Sequence, residues 1–171
     1  CGAETGRSGK TVRSAVTCSV LFVCLGNICR SPLAEAAMRA ETSAQGFDLI
    51  VDSAGTGGWH IGEAPDPRAQ ATARKQGVDI SWQRARQVGP ADFRRFTHIV
   101  ALDRDNLREL RRLQPKDGSA ELSLLLDHAP GRQGQDVADP YYADAAAFDA
   151  AWADILPAVR GLLAHIRAHG R

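Results

Sequence analysis

The chain has 171 residues, 44% of them hydrophobic and 24% charged, which suits one soluble globular domain with a sizeable core. Lys and Arg number 21 against 20 Asp and Glu, a formal net charge of +1, so no nucleic-acid or membrane partner is expected and any anion must be held by a local site. No apolar run reaches the ~20 residues of a membrane-spanning helix.

Residues 1–17 are rich in Gly, Ser, Thr and charge and are expected to be a mobile leader, with the folded domain over 18–171. Lys10 and Arg13 before the apolar stretch Ala15–Leu25 imitate a signal peptide. Gly26-Asn27 follows, however, with no small-x-small cleavage pattern, and a cut nearby would destroy the Cys24–Arg30 segment. The four cysteines, Cys1, Cys18, Cys24 and Cys29, cluster at one end rather than spreading as a disulfide framework. That favours a reducing compartment and a cytoplasmic setting.

Ser19–Val23 predicts a buried strand, and Pro32 to about Thr42 a helix with Pro32 at its first position. Leu33, Ala36, Ala37 and Ala40 fall on one face of that helix. A second strand is predicted over Leu49–Ser53, ended by Gly55, Gly57 and Gly58. A second helix follows over Pro67–Gln76, with Gly77 as its stop. His98–Leu102 reads as a third strand and Asp103–Leu113 as a third helix capped by Asp103. Leu122–Leu126 reads as a fourth strand and Gly131–Asp144 as a polar loop. Phe148, Trp152, Ile155, Val159, Leu162 and Ile166 recur at helical spacing, with Pro157 expected to kink or divide that last helix. The alternation implies an α/β fold: a single domain with a four-stranded parallel sheet, helices on both faces and ligands bound at the carboxyl ends of the strands.

Cys24 stands at such an end, in "VLFVCLGNICRSPLAEA". A turn from strand to helix aims several N–H groups at one spot, and the helix end adds partial positive charge. Gly26 allows close backbone approach. Arg30 offers a planar fork for two phosphate oxygens. A cysteine facing these donors is expected to favour its thiolate. The competing reading is that Cys24 is a small hydrophobe and Arg30 a surface charge. The segment lacks the Gly-Lys-Ser/Thr ending of a Walker loop. It is also a poor zinc site, because Cys24 and Cys29 lack a second ligand pair and His60 and His98 show no ligand spacing. Trp59 between glycines, and the paired Tyr141 and Tyr142, are candidate recognition surfaces, with edge packing the alternative for the tyrosines. Asp103, Asp127, Asp136 and Asp139 are all candidate acids on sequence grounds.

"VCLGNICRSPLAEA" resembles the signature of the low-molecular-weight protein tyrosine phosphatases. "DSAGTGGWHIGEAPDPRA", "ALDRDNLREL" and "DPYY" resemble later segments of the same family, in the same order. The resemblance covers roughly residues 19–168. It implies hydrolysis of phosphotyrosine in proteins, and of small aryl phosphates, through a phosphocysteine intermediate with no metal and no cofactor. It implies that Cys24 is the nucleophile, Arg30 the phosphate-binding arginine and Asp139 the general acid. Ser31 matches the hydroxyl that hydrogen-bonds the thiolate, Asn27 the residue that shapes the loop and Ser53 a serine supporting it. Gly26 and Ile28 complete the phosphate-binding turn. Trp59, Tyr141 and Tyr142 match the cleft walls, while Leu25 and His60 fall at cleft positions that vary within the family. Cys29 matches a second loop cysteine that pairs with the nucleophile under oxidation. Phosphotyrosine proteins and phosphate-like oxyanions are the implied partners, and a monomer or weak dimer the implied state. An arsenate reductase of the same fold would need relay cysteines downstream, and none follows Cys29. A silent phosphate-binding module would be expected to lack the nucleophile or the acid.

Overall fold

A computed structural model describes residues 17–169; the expected leader, apart from Thr17, lies outside the described residues. Four strands form one parallel sheet: β1 (Ser19–Cys24), β2 (Ile50–Gly55), β3 (His98–Ala101) and β4 (Glu121–Leu124), in the order β2-β1-β3-β4. Five helices accompany it: α1 (Arg30–Gln45), α2 (Pro67–Lys75), α3 (Asp92–Arg95), α4 (Arg104–Leu113) and α5 (Ala145–His169).

The central strand β1 is buried along its whole length. Its alternate residues feed two cores, as the two-residue period of a strand requires. Val20, Phe22 and Cys24 pack with residues of α1, α2 and α5, whereas Leu21 and Val23 pack with Phe93, Leu107 and Leu110 of α3 and α4. The expected layering, helices on both faces of a four-stranded parallel sheet, is thus the observed one.

Several boundaries differ from the sequence expectation. Helix α1 begins at Arg30, so Pro32 is its third residue, still inside the first turn where no N–H is needed. It ends on Gly46 in the left-handed region, with the Phe47 N–H returning to the Thr42 carbonyl. Strand β2 runs on to Gly55 because that residue pairs with Cys24 and bridges to Gln87. The run expected as strand Leu122–Leu126 splits: after Leu124 the chain turns into a 3₁₀ segment, Leu125–His128, which packs on α5. A short apolar run is buried equally well either way, so its composition did not distinguish them. Helix α3, only four residues long, carries too little periodicity to be read. Pro157 does not divide α5. Its ring faces solvent, while Ile155, Ala158, Val159 and Leu162 around it are buried in one core and hold both halves in register. Gly161 lets α5 approach the 3₁₀ segment, since a Cβ there would sit 1.9 Å from the His128 carbonyl oxygen.

Candidate active site

The turn after β1 is shaped by Asn27, whose φ of 58° is the one positive value outside glycine among the described residues. Asparagine tolerates this region better than most residues. Here its side chain also uses every polar group. Nδ2 donates to Ser31 Oγ at 2.8 Å and to Ser53 Oγ at 3.0 Å, and Oδ1 accepts the Arg86 N–H at 3.0 Å. Ser31 Oγ accepts from Asn27 Nδ2 and lies 2.9 Å from Cys24 Sγ, within reach to share a proton with the sulfur. The Asn27 N–H also donates to Cys24 Sγ, at 3.3 Å. The sulfur thus sits at the N-terminal end of α1, with the Asn27 N–H directed at it and the Ser31 hydroxyl beside it.

The network continues into the core. Ser53 Oγ donates to Glu35 Oε1 at 2.8 Å, and Glu35, only 2% exposed, is paired with Arg39 through Nε at 2.8 Å. Arg39 in turn donates to the Val51 carbonyl. Burial pushes the Glu35 carboxyl above its ordinary range, opposed by its bonds from Arg39 and Ser53. The turn is also held from beneath by Gly55. The Gly57 N–H donates to the Leu25 carbonyl and the Thr56 N–H to the Cys24 carbonyl. A Cβ on Gly55 would meet the Leu25 oxygen at 2.8 Å and the Asn27 nitrogen at 3.2 Å, so only glycine fits there.

Arg30 is 3% exposed. Its Nη1 donates to Asp103 Oδ2 at 2.7 Å and to the Val137 carbonyl at 2.8 Å, and its Nη2 lies 3.6 Å from Asp139 Oδ2. Burial lowers its proton affinity, but Cys24, Asp103 and Asp139 outweigh this and the guanidinium stays charged. Asp139 Oδ1 accepts the Tyr141 N–H at 3.1 Å. Asp103 caps α4 with one oxygen and holds Arg30 with the other, and Asp136 is paired with Arg104. Of the four candidate acids, Asp127 takes the Gly134 N–H, and Asp139 alone lines the cleft.

That cleft has a volume of about 350 Å³ and is lined by Cys24, Leu25, Gly26, Ile28, Cys29, Arg30, Trp59, His60, Asp139, Tyr141 and Tyr142. Asn27, Ser31 and Ser53 lie behind it, in the network under the loop. Trp59 and Tyr142 are 71% and 96% exposed. The Trp59 ring rests on Gly57, where a Cβ would meet it at 1.9 Å. Tyr141 and Tyr142 meet edge to face at 4.9 Å, and His60, paired with Glu63 at 2.6 Å, faces Tyr141. Cys24 and Cys29 are both free. Burial, then the nearby Cys24, Asp66 and Asp139, pushes the Cys29 thiol far up, so it stays protonated. No group of His, Cys, Asp and Glu suited to a metal ion occurs among the described residues, nor any helix long and apolar enough to cross a membrane.

Sequence reasoning missed Asp103 as the partner of Arg30, together with Glu35, Gly55 and Arg68. The last of these donates to the Tyr141 and Ala143 carbonyls of the loop that carries Asp139. The motif "DPRA" held the signal for Arg68, but nothing local showed its target.

The family model of the low molecular weight phosphotyrosine protein phosphatases matches residues 19–171. A low molecular weight protein-tyrosine-phosphatase of Streptomyces coelicolor is 44% identical over 157 residues, covering 89% of this chain and 95% of that protein. The crystal structure of YfkJ from Bacillus subtilis superposes with a TM-score of 0.85 at 38% identity, covering 92% and 99% of the two chains. That of a Drosophila arginine phosphatase does so with a TM-score of 0.82 at 31% identity, covering 88% and 98%. The match spans the turn after β1, all four strands and α5, and the chain belongs to the low molecular weight phosphotyrosine protein phosphatase family.

Proposed function

We propose that the protein hydrolyses phosphotyrosine in proteins, and small aryl phosphates, through a phosphocysteine on Cys24 with Asp139 as proton donor. The observation that carries this reading is a free cysteine sulfur sharing one cleft with a buried guanidinium and a loop carboxylate. The phosphoryl oxygens take the N–H groups of the turn and the Arg30 fork, which supply the positive charge the transferring group needs. No metal or cofactor takes part in the proposal. Cys24 Sγ attacks phosphorus as the ester P–O bond breaks, and Asp139 gives its proton to the departing oxygen, so that a neutral phenol leaves. Asp139, now a carboxylate, takes a proton from water as the water oxygen attacks phosphorus. The P–S bond breaks, the sulfur departs as thiolate and inorganic phosphate is released. Cys29, held as a thiol, does not compete as a nucleophile.

The exposed rings of Trp59, Tyr141 and Tyr142 favour a planar aromatic ester between them. Phosphotyrosine proteins are therefore the proposed partners, and inorganic phosphate a competing oxyanion. A monomer or a weak dimer belongs to the same proposal. A cytoplasmic setting belongs to the same proposal, because Cys24 and Cys29 must stay reduced for turnover. The test is kcat/KM on matched peptides carrying phosphotyrosine, phosphoserine or phosphoarginine. The last is included because a guanidinium also stacks on aromatic faces and one structural neighbour is described as an arginine phosphatase. Phosphotyrosine should lead by on the order of 10–100-fold; a lead for phosphoarginine or phosphoserine overturns the assignment.

A further inference from the structure

Asp66 and Arg68 join two loops that lie far apart in the sequence. The Asp66 N–H donates to the Ile28 carbonyl of the phosphate-binding turn at 2.8 Å. Its carboxylate caps α2 on the Arg68 N–H at 2.8 Å and grips the Arg68 guanidinium through Nε at 3.0 Å and Nη2 at 2.9 Å. The same guanidinium donates from Nη1 to the Ala143 carbonyl at 2.7 Å and from Nη2 to the Tyr141 carbonyl at 2.9 Å. It also stands 4.5 Å over the Phe148 ring near the start of α5. Tyr141 in turn gives its N–H to Asp139 Oδ1. An unbroken chain of bonds thus runs from the floor of the phosphate site, through Asp66 and Arg68, to the carboxylate above it.

Asp139 itself is poorly anchored: its side chain is 42% exposed, and the Arg30 guanidinium is 3.6 Å away. Among the described residues, the hydrogen bonds reaching residues 139–144 from outside the loop and α5 are those of Arg68. The planar fork gives two bonds to the Asp66 carboxylate and one to each carbonyl, more than the three donors of an ammonium group supply.

We propose that Arg68, braced by Asp66, is a positioning residue that sets the span between the phosphate-binding turn and the acid loop and so aims Asp139 at the leaving oxygen. The proposal rests on the acid role proposed for Asp139. It predicts that loss of Arg68 harms proton donation and spares phosphate binding, since Arg30 and the loop amides do not depend on it.

The test is single-turnover phosphoenzyme formation on aryl phosphates of graded leaving-group pKa, with wild type, Arg68→Ala, Arg68→Lys, Asp139→Ala and the Arg68→Ala/Asp139→Ala double variant. Inhibition by inorganic phosphate is measured alongside and reports the integrity of the cradle. Arg68→Ala should slow phosphotyrosine by roughly 10–100-fold and an activated aryl phosphate far less, with phosphate inhibition unchanged. Arg68→Lys should recover little. In the Asp139→Ala background the Arg68 substitution should add almost nothing, because both remove one function. Equal losses on all esters, or a full further loss in the double variant, would make Arg68 merely structural and overturn the proposal. A normal Arg68→Ala beside a defective Asp139→Ala sinks this inference alone. A normal Asp139→Ala sinks the acid reading and this inference with it.

Discussion

Asp103 holds two elements with one carboxylate: Oδ1 accepts the Asn106 N–H at 2.7 Å, capping α4, and Oδ2 accepts Arg30 Nη1 at 2.7 Å. The cap fixes the carboxylate, and the carboxylate fixes the arginine fork. With both oxygens engaged, Asp103 is not free to serve as the acid. Asp103→Ala and Asp103→Asn should both weaken inhibition by inorganic phosphate, because Arg30 loses its charged partner. The alanine should lose about a further 1 kcal/mol of stability with the cap. Phosphate inhibition curves and denaturant midpoints for both variants check this; unchanged inhibition in both would mean that Arg30 is oriented without Asp103.

Asp139 should matter in proportion to how poor the leaving group is. A tyrosyl oxygen has a pKa of about 10, and general acid help is typically worth ~10²–10⁴-fold. Asp139→Ala should therefore cost phosphotyrosine turnover far more than turnover of an ester with a strongly acidic phenol. Asp136→Ala should show no such bias, since Asp136 is committed to Arg104, which holds its carboxyl below the usual range. Presteady-state kinetics on both esters measure it, and equal losses for Asp139→Ala would move the proton donor elsewhere.

Cys29 should protect Cys24 from over-oxidation. Peroxide should convert Cys24 to a sulfenic acid, and the Cys29 sulfur should then attack that sulfur, expelling water and closing a disulfide. The raised Cys29 thiol makes it the second partner rather than the first oxidised. Wild type should regain activity with dithiothreitol, while Cys29→Ser should oxidise to forms that thiols do not rescue. Recovery assays after graded peroxide decide it: full recovery of Cys29→Ser contradicts the protective role.

Stability should fall in mild acid. Burial, followed by the neighbouring His165, holds His128 below its ordinary value, and burial likewise lowers His98 against the opposing pull of Glu121. Both are neutral in the fold and take up protons on unfolding once the pH drops through about 6.5. The unfolded state then binds more protons, so stability is full above that pH and declines below it. His128→Asn should flatten the decline between pH 7.5 and 5.5 in denaturant melts; an unaltered slope would assign it to other groups.

The sequence displays what is local. The Cys24–Arg30 turn, the Asp103 cap and the Gly77 stop each depend on residues a few positions apart, and each lies where the pattern put it. Asp103 on Arg30, Arg68 on the Tyr141 carbonyl and Ser53 on Glu35 are pairings across the fold, settled by how the elements pack. Leu125 and Leu126 failed for another reason: the core accepts their side chains from a strand or from a 3₁₀ turn, and only the position of α5 decides. The roles proposed for Cys24, Arg30 and Asp139 rest on the family resemblance together with the strand–turn–helix context, not on spacing alone.

In the proposed mechanism Cys24 forms the phosphoenzyme without a metal ion. The most direct measurement is rapid-quench trapping of a phosphorylated enzyme during aryl phosphate turnover in EDTA, with the modified residue mapped by mass spectrometry, in wild type and Cys24→Ser. Wild type should carry phosphate on Cys24 and turn over undiminished. No turnover is expected in Cys24→Ser, which should still fold, because a serine hydroxyl is scarcely ionised near neutral pH. Phosphate mapped to another residue, turnover by Cys24→Ser near the wild-type rate, or loss of wild-type activity in EDTA would contradict that mechanism.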